Sequence, residues 1–468
     1  MKVANASLKS ILPVNDDLLH GFFYGSVYPV IVGLFAVLSY LTNQAIIGLL
    51  VFGIFACLIL LLLDDLTPFL PLPLTVMFIF RDYEIFSSPA AYVIFGLIAI
   101  CIAAHFFIFP IKKITSGKLY LPLFCVSIAL LIGGIFSPYI KDYAKGVSSV
   151  LSTGPINLFA YFFLLNFIKP PKGFDVKRYF CYILTVVGCV ITVELNLHFY
   201  ILVEKAPNET LNNIGLTNLN AAAVLLLVAI PACWYLISRR KRVFLSLPTL
   251  VFLYLGMYQT ASDGCNGITI VSLPFFAIFA ILRAKNFNKQ VIVRVLYVVG
   301  FSIAVLMLLY FMQHDVRELI NYVISELLND TGRTFLYEDA IEQFLKYPIF
   351  GVGFGYANPL VDWFESHSFA PYNFHSTLFH TMATSGIVGV AAYAYYYVKR
   401  FSIITAKNDS FNLFMFFSFT SFVMYGMIDT CEFTFFPSLF ITIFLTMVEC
   451  INVKHQSTSL PLCENCNL

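Results

Sequence analysis

The sequence predicts an all-α polytopic membrane protein, a bundle of about 12–14 helices with one large polar loop. Three observations predict it. Hydrophobic residues make up 59% of the 468 and charged residues only 12%, with a mean hydropathy of +0.84, outside the range of soluble domains. Apolar runs long enough to cross about 30 Å of hydrocarbon recur along nearly the whole chain. The short alternating strands of a membrane barrel are missing, and helices are the other way to satisfy every backbone group in lipid.

Taken in order, the runs fall at 21–41, 44–63, 90–110, 119–138, 147–168, 179–201, 219–238, 243–259, 266–282 and 291–312, then at 377–398, 411–427 and 435–453. A proline-broken run at 66–80 reads as a fourteenth span or a re-entrant piece. The division expected is a bundle over 1–312, a large outer loop over 313–376, closing helices over 377–453 and a tail over 454–468. No stretch is large enough for a separate soluble domain, and the weakly basic start without a small-residue cleavage site predicts no removable signal peptide.

The net charge of +2 selects no partner and gives no reason to expect nucleic acid. The placement of charge is informative. With fourteen spans and the N-terminus inside, 21 Lys and Arg fall on the cytoplasmic side, Lys399 and Arg400 among them. Seven fall outside: Arg81, Lys141, Lys145, Lys205, Arg317, Arg333 and Lys346. That bias puts 313–376 outside, with the short loops at 202–218, 260–265 and 428–434. The eleven cysteines lie mostly in spans, as small apolar residues. The terminal Cys463-x-x-Cys466 is half of a zinc motif, read as incidental.

Within the first third, Asp64-Asp65 and the charges around Arg81 read as solvated loop residues. Lys141 and Lys145 read either as interface anchors or as contacts for an anionic headgroup or phosphate. The outer turn Asn212-Asn213-Ile-Gly215-Leu-Thr-Asn218-Leu-Asn220 offers amides for sugar hydroxyls or for capping the next helix. Thr260-Ala-Ser-Asp263-Gly-Cys-Asn266-Gly267 suits a tight turn or a polar pocket.

The large loop carries the chemistry. Two amphipathic helices are expected in it. In 315–328, Val316, Leu319, Ile320, Val323 and Leu327 share a face; in 334–346, Tyr337, Ala340, Ile341, Phe344 and Leu345 oppose Glu338, Asp339, Glu342 and Gln343. Pro348 ends the second helix. The glycines of Pro348-Ile-Phe-Gly351-Val-Gly353-Phe-Gly355 do not make a nucleotide loop, which needs a preceding strand and a following helix. Arg333, at a helix start, reads as a bidentate phosphate ligand or as a snorkelling interface residue. His375, just before a span, reads as a general base at the rim of a membrane cavity or as an interface histidine. His375 and His380 are five apart, not the four of a helical metal pair, so no metal site is expected, and no cofactor.

The run His375-Ser376, nine residues, then Gly386-Ile-Val-Gly389 resembles the signature of the bacterial O-antigen ligase and O-antigen polymerase superfamily. Gly332-Arg333 followed by a helix and Pro348-Ile-Phe-Gly351-Val-Gly353 is similar to the segment before that histidine, and the Gly215 to Asn220 turn to a Gly and Asn pair ahead of a span. The resemblance implies a GT-C-like membrane glycosyltransferase of the bacterial cytoplasmic membrane, its site facing the periplasm or exterior. It implies transfer of a glycan from undecaprenyl diphosphate to an acceptor saccharide or lipid-linked hydroxyl, with inversion and without metal, as polymerase or ligase. On it His375 is the base, Arg333 binds the departing diphosphate, and Asn220, Asp263, Gly351 and Gly353 are pocket candidates. The chain departs from the family where a basic residue is usual before Gly215 and where Asp263 stands in a Ser-Arg-Gly-like turn, so Lys141, Lys145 and Lys205 are substitute donor contacts. A flippase for lipid-linked sugars is the competing class; it predicts inverted repeats and intramembrane charges along a path.

Overall fold

The computed structural model describes residues 16–80, 88–198, 213–214, 217–239, 246–283, 300, 333–359 and 372–454. The expected span at 291–312, the helix at 315–328, Gly215, Lys205, His367 and the Cys463/Cys466 pair lie outside the described residues.

The described chain is a helix bundle, with seven helices long and apolar enough to cross a membrane. In chain order it runs α1 (Asp16–Phe23), α2 (Val27–Thr42), α3 (Ala45–Leu62), α4 (Pro71–Thr75), α5 (Pro89–Ile108), α6 (Tyr120–Ile132), α7 (Tyr143–Leu151) and α8 (Asn157–Phe167). α9 (Val176–Leu197), α10 (Leu219–Arg239), α11 (Ser246–Gln259) and α12 (Asp263–Arg283) follow. The last third holds α13 (Arg333–Lys346), α14 (Thr377–Ile404), α15 (Ser410–Gly426) and α16 (Phe435–Lys454). The only strands among the described residues are β1 (Asn213–Ile214) and β2 (Thr217–Asn218), a hairpin ahead of α10. Its Asn218 side chain accepts from the Ala221 N–H at 2.7 Å, so this asparagine caps the helix.

Helix ends follow from local chemistry. Asp175 caps α9 through the Arg178 N–H and Asp409 caps α15 through the Asn412 N–H. The proline-rich 66–80 run makes short 3-10 turns around α4 and is buried, as a re-entrant piece would be.

α10 is the bundle's central element, buried along its whole apolar window. Small residues let its neighbours in. A Cβ at Gly188 of α9 would meet Ala229 and Leu253 at 2.8 Å, and one at Gly256 of α11 would strike Thr192. α5 is the opposite case, only 17% buried, with Ile100 and Phe107 turned outward toward lipid.

Several contacts between loops fall into two groups. One joins Asp65 to the Lys169 N–H at 2.5 Å, Glu449 to the Lys118 N–H at 2.7 Å, and Lys177 to Asp409 at 2.5 Å. The other joins Gly134 to Phe350 at 2.8 Å and the 373–377 segment to Asp429 and Thr430.

Two expectations are corrected. Asp65 is buried, not a solvated loop residue: Tyr24 OH, the Thr67 N–H and hydroxyl, and the Lys169 N–H all donate to it. Four donors compensate the lost water. Arg400, expected among the cytoplasmic charges, is also buried, its guanidinium 2.7 Å from Glu432 of the 428–434 loop.

Candidate active site

The site is built around a broken helix. Gly386 interrupts α14 with φ 61° and ψ −157°, which frees backbone groups that lipid cannot satisfy. The Pro348–Gly355 turn takes them. Its Val352 and Gly353 N–H groups donate to Ala383 and Thr384 at 2.8 and 2.9 Å, and beyond the break Ile387 and Val388 N–H donate back to Pro348 and Ile349 at 2.8 and 3.3 Å. Both pocket-candidate glycines serve this docking. Gly351 and Gly353 have φ of +66° and +82°, and a Cβ on either would run into backbone at Ala383–Ser385 or Gly133–Gly134.

His375 sits where this short half-helix begins. Its φ is 47°, the left-handed region, uncommon outside glycine and typical of strained functional positions. The Asn373 side chain accepts its N–H at 2.8 Å, and Tyr337 OH donates to its carbonyl at 3.2 Å. Its Nδ1 stands 3.4 Å from Asp429 Oδ1, with the ring about one third exposed (34%) and Asp429 nearly covered. That separation is an electrostatic contact, longer than a closed hydrogen bond.

Asp429 is held in turn. The Thr430 N–H and Tyr425 OH donate to it at 2.7 and 2.9 Å, and the Thr430 hydroxyl donates to Asn373. Burial opposes ionisation of this carboxyl, yet the His375 ring, the Thr430 N–H and the Tyr425 hydroxyl outweigh it and hold the group below the usual carboxylate range.

α13 roofs this pair. Tyr337 stacks on Phe379 with ring centroids 4.5 Å apart and lies within electrostatic reach of both Arg333 and Asp429. Burial raises the Tyr337 phenol, Arg333 lowers it, and Asp429 raises it again. The expected apolar face of α13 is corrected. Ile341 and Leu345 are exposed, while Asp339, Ala340 and Gln343 are buried. The buried acid accepts from Tyr356 OH at 2.7 Å and from the Gln343 amide at 3.0 Å, so polar groups here meet protein rather than water. Burial and Asp339 together push the Tyr356 phenol far up.

Tyr356 stacks on Phe374 beside the histidine, and its other side meets Tyr139. Through that ring the Pro138–Asp142 turn abuts the site, with Lys141 exposed upon it, and exposed Lys145 in the first turn of α7 pairs with Asp142 at 3.1 Å. Asp263 begins α12 in the turn packed on the Asp429 segment: a Cβ at Gly264 would strike Ile428 and Tyr425. Asn220 lies half-buried in the first turn of α10. No hydrogen bond or ion pair joins Asn220 or Lys141 to His375 among the described residues.

Asp429 and Tyr337 complete the arrangement without having been singled out from sequence. Their one sequence signal is position: Asp429 is one of two acids, with Glu432, in the short expected outer loop at 428–434.

No curated protein matches the chain. The stretch that holds Arg333, the glycine turn, His375 and Gly386 does match a family. Residues 267–394 match the family model described as O-antigen ligase, so this stretch of the chain is similar to the O-antigen ligase and polymerase superfamily.

Proposed function

We propose that this protein moves a glycan from undecaprenyl diphosphate to an acceptor hydroxyl at the outer face of the bacterial cytoplasmic membrane, with His375 as general base. The observation that carries the reading is the His375–Asp429 pair at the mouth of a broken transmembrane helix, inside and beside the matched family segment. Asp429 faces Nδ1, which leaves Nε2 as the nitrogen that takes a proton, the logic by which a carboxylate fixes an imidazole tautomer.

The step balances as a single displacement. The acceptor O–H gives its proton to Nε2 and its electron pair to the anomeric carbon. The bond from that carbon to the diphosphate breaks, the pair leaves with undecaprenyl diphosphate, and the configuration inverts. Asp429 stabilises the imidazolium that forms. Diphosphate is a good leaving group, so the site has to supply a base, cations and orientation. Arg333 opens α13, where guanidinium geometry and free helical N–H groups both favour phosphate oxygens. Lys141, Lys145 and Lys205 are further donor contacts, Asn220 and Asp263 further pocket groups, and the 313–376 loop is the catalytic unit over the bundle. No metal or cofactor takes part in this scheme.

Polymerase is favoured slightly over ligase. The test is the chain-length profile of lipid-linked glycan in cells lacking the gene, with wild-type and His375→Ala complements. Single repeat units on the outer face identify a polymerase, and long lipid-linked polymer that never reaches its acceptor identifies a ligase. Units trapped on the cytoplasmic face, or full rescue by the alanine variant, overturn the reading.

A further inference from the structure

Beneath His375 lies a charged pair that the chemistry above does not use. Arg400, deep in α14, places Nη1 2.7 Å from Glu432 Oε1, and both side chains are almost fully buried, at 3% and 2% exposure. Tyr397 OH donates to the same oxygen at 2.6 Å. The guanidinium carbon lies over the Tyr396 ring, 3.8 Å from its centroid, with Tyr397 and Phe419 around it. An ion pair inside a membrane bundle is costly and tends to mark function rather than stability.

Its position suggests the function. Glu432 belongs to a tight 3-10 turn, Cys431–Phe433, which begins two residues after Asp429. The Phe433 N–H donates to Thr430 at 2.9 Å, the Asp429 N–H to Tyr425 at 3.0 Å, and the Thr430 hydroxyl to Asn373. Phe433 itself is wedged between the rings of His380, Phe354 and Tyr393, at 4.4, 5.7 and 5.5 Å. The 429–433 segment is therefore a rigid strut. One end carries the carboxylate that faces His375 Nδ1, and the other is fastened by Glu432 to Arg400 and Tyr397.

We propose that Arg400, Glu432 and Tyr397 are positioning residues: their buried network fixes the strut that aims Asp429 at His375. This rests on the glycosyltransferase reading of the site. α14 then supplies both partners of one alignment, His375 just before its first turn and Arg400 near its far end, so the break at Gly386 and the strut together set the distance across the pair. Geometry of this kind acts on the rate of the chemical step more than on donor binding, because a displacement of about 1 Å at a reacting group costs on the order of 100-fold.

The test uses the full-length protein in detergent, with polyprenyl-diphosphate-linked glycan extracted from a strain lacking the gene as donor. Glu432→Gln keeps the shape and removes the charge; Tyr397→Phe removes one hydroxyl. The expected result is a fall in kcat per folded molecule, about 100-fold for Glu432→Gln and about tenfold for Tyr397→Phe, with KM unchanged. Folded Glu432→Gln with wild-type kcat overturns the proposal, as does a lowered Tm with kcat per folded molecule unchanged, which is the signature of a purely structural pair. If Glu432→Gln does not fold, the same criterion applied to Tyr397→Phe decides. His375→Ala in the same assay separates the two claims. Transfer retained by that variant sinks the glycosyltransferase reading itself, whereas its loss beside a fully active Glu432→Gln sinks this inference alone.

Discussion

His375 is gripped on three sides by different parts of the chain: Asn373 at its N–H, Tyr337 at its carbonyl and Asp429 at its ring. Asp429→Asn keeps the volume and removes the charge that selects the tautomer, so transfer should fall by about 10²–10⁴-fold with folding intact, measured as release of polyprenyl diphosphate. The pH dependence has a definite sign. A carboxyl held below its ordinary value of about 3.9 contributes stability that is fully present above that value and is lost as pH falls through the lower folded value. The Tm difference between wild type and Asp429→Asn should therefore shrink as pH falls below about 4. A difference that grows on acidification would contradict the assignment. At Arg333, bidentate geometry predicts that lysine does not substitute. Arg333→Lys should raise the KM for donor nearly as much as Arg333→Ala, and a fully active lysine variant would reduce the residue to a point charge.

Among the elements, the broken helix is the one that sequence prefigured least. The spacing from His375 to Gly386 was visible in the chain, and the Pro348–Gly355 turn stood out for its glycines. That these two segments hydrogen-bond to each other depends on a long-range pairing that no local pattern encodes. α13 shows a different limit. Helical periodicity located it correctly, but periodicity assumes that the apolar side is the buried side. Here Tyr356 and Gln343 satisfy Asp339 from within, so the acid is inside and Leu345 is out. Arg400 was misplaced for the same reason: its partner Glu432 is 32 residues away. The broken helix makes its own prediction. Gly386→Ala puts a Cβ 2.5 Å from the Ile349 carbonyl at positive φ, a cost of about 1–3 kcal/mol or more. It should lower Tm and yield sharply in detergent. Gly267→Ala, whose Cβ meets nothing within 4 Å, should not.

For the whole molecule, composition and apolar runs were enough to give the class, because lipid leaves so few ways to satisfy a backbone. The sides are an expectation from Lys and Arg counts. Exposed Lys346 and Lys172 then make a direct check. A membrane-impermeant maleimide should label Lys346→Cys in intact spheroplasts and Lys172→Cys only after permeabilisation; the reverse pattern would place the histidine site on the cytoplasmic side. The central claim is that His375 and Asp429 act as one base in glycan transfer. It is tested most directly by the single-turnover transfer rate of wild type, His375→Ala, Asp429→Asn and the double variant on extracted lipid-linked glycan. Residues that act as a unit are non-additive, so the double variant should be no slower than His375→Ala alone. Multiplying losses, or an Asp429→Asn variant as fast as wild type, would contradict the account.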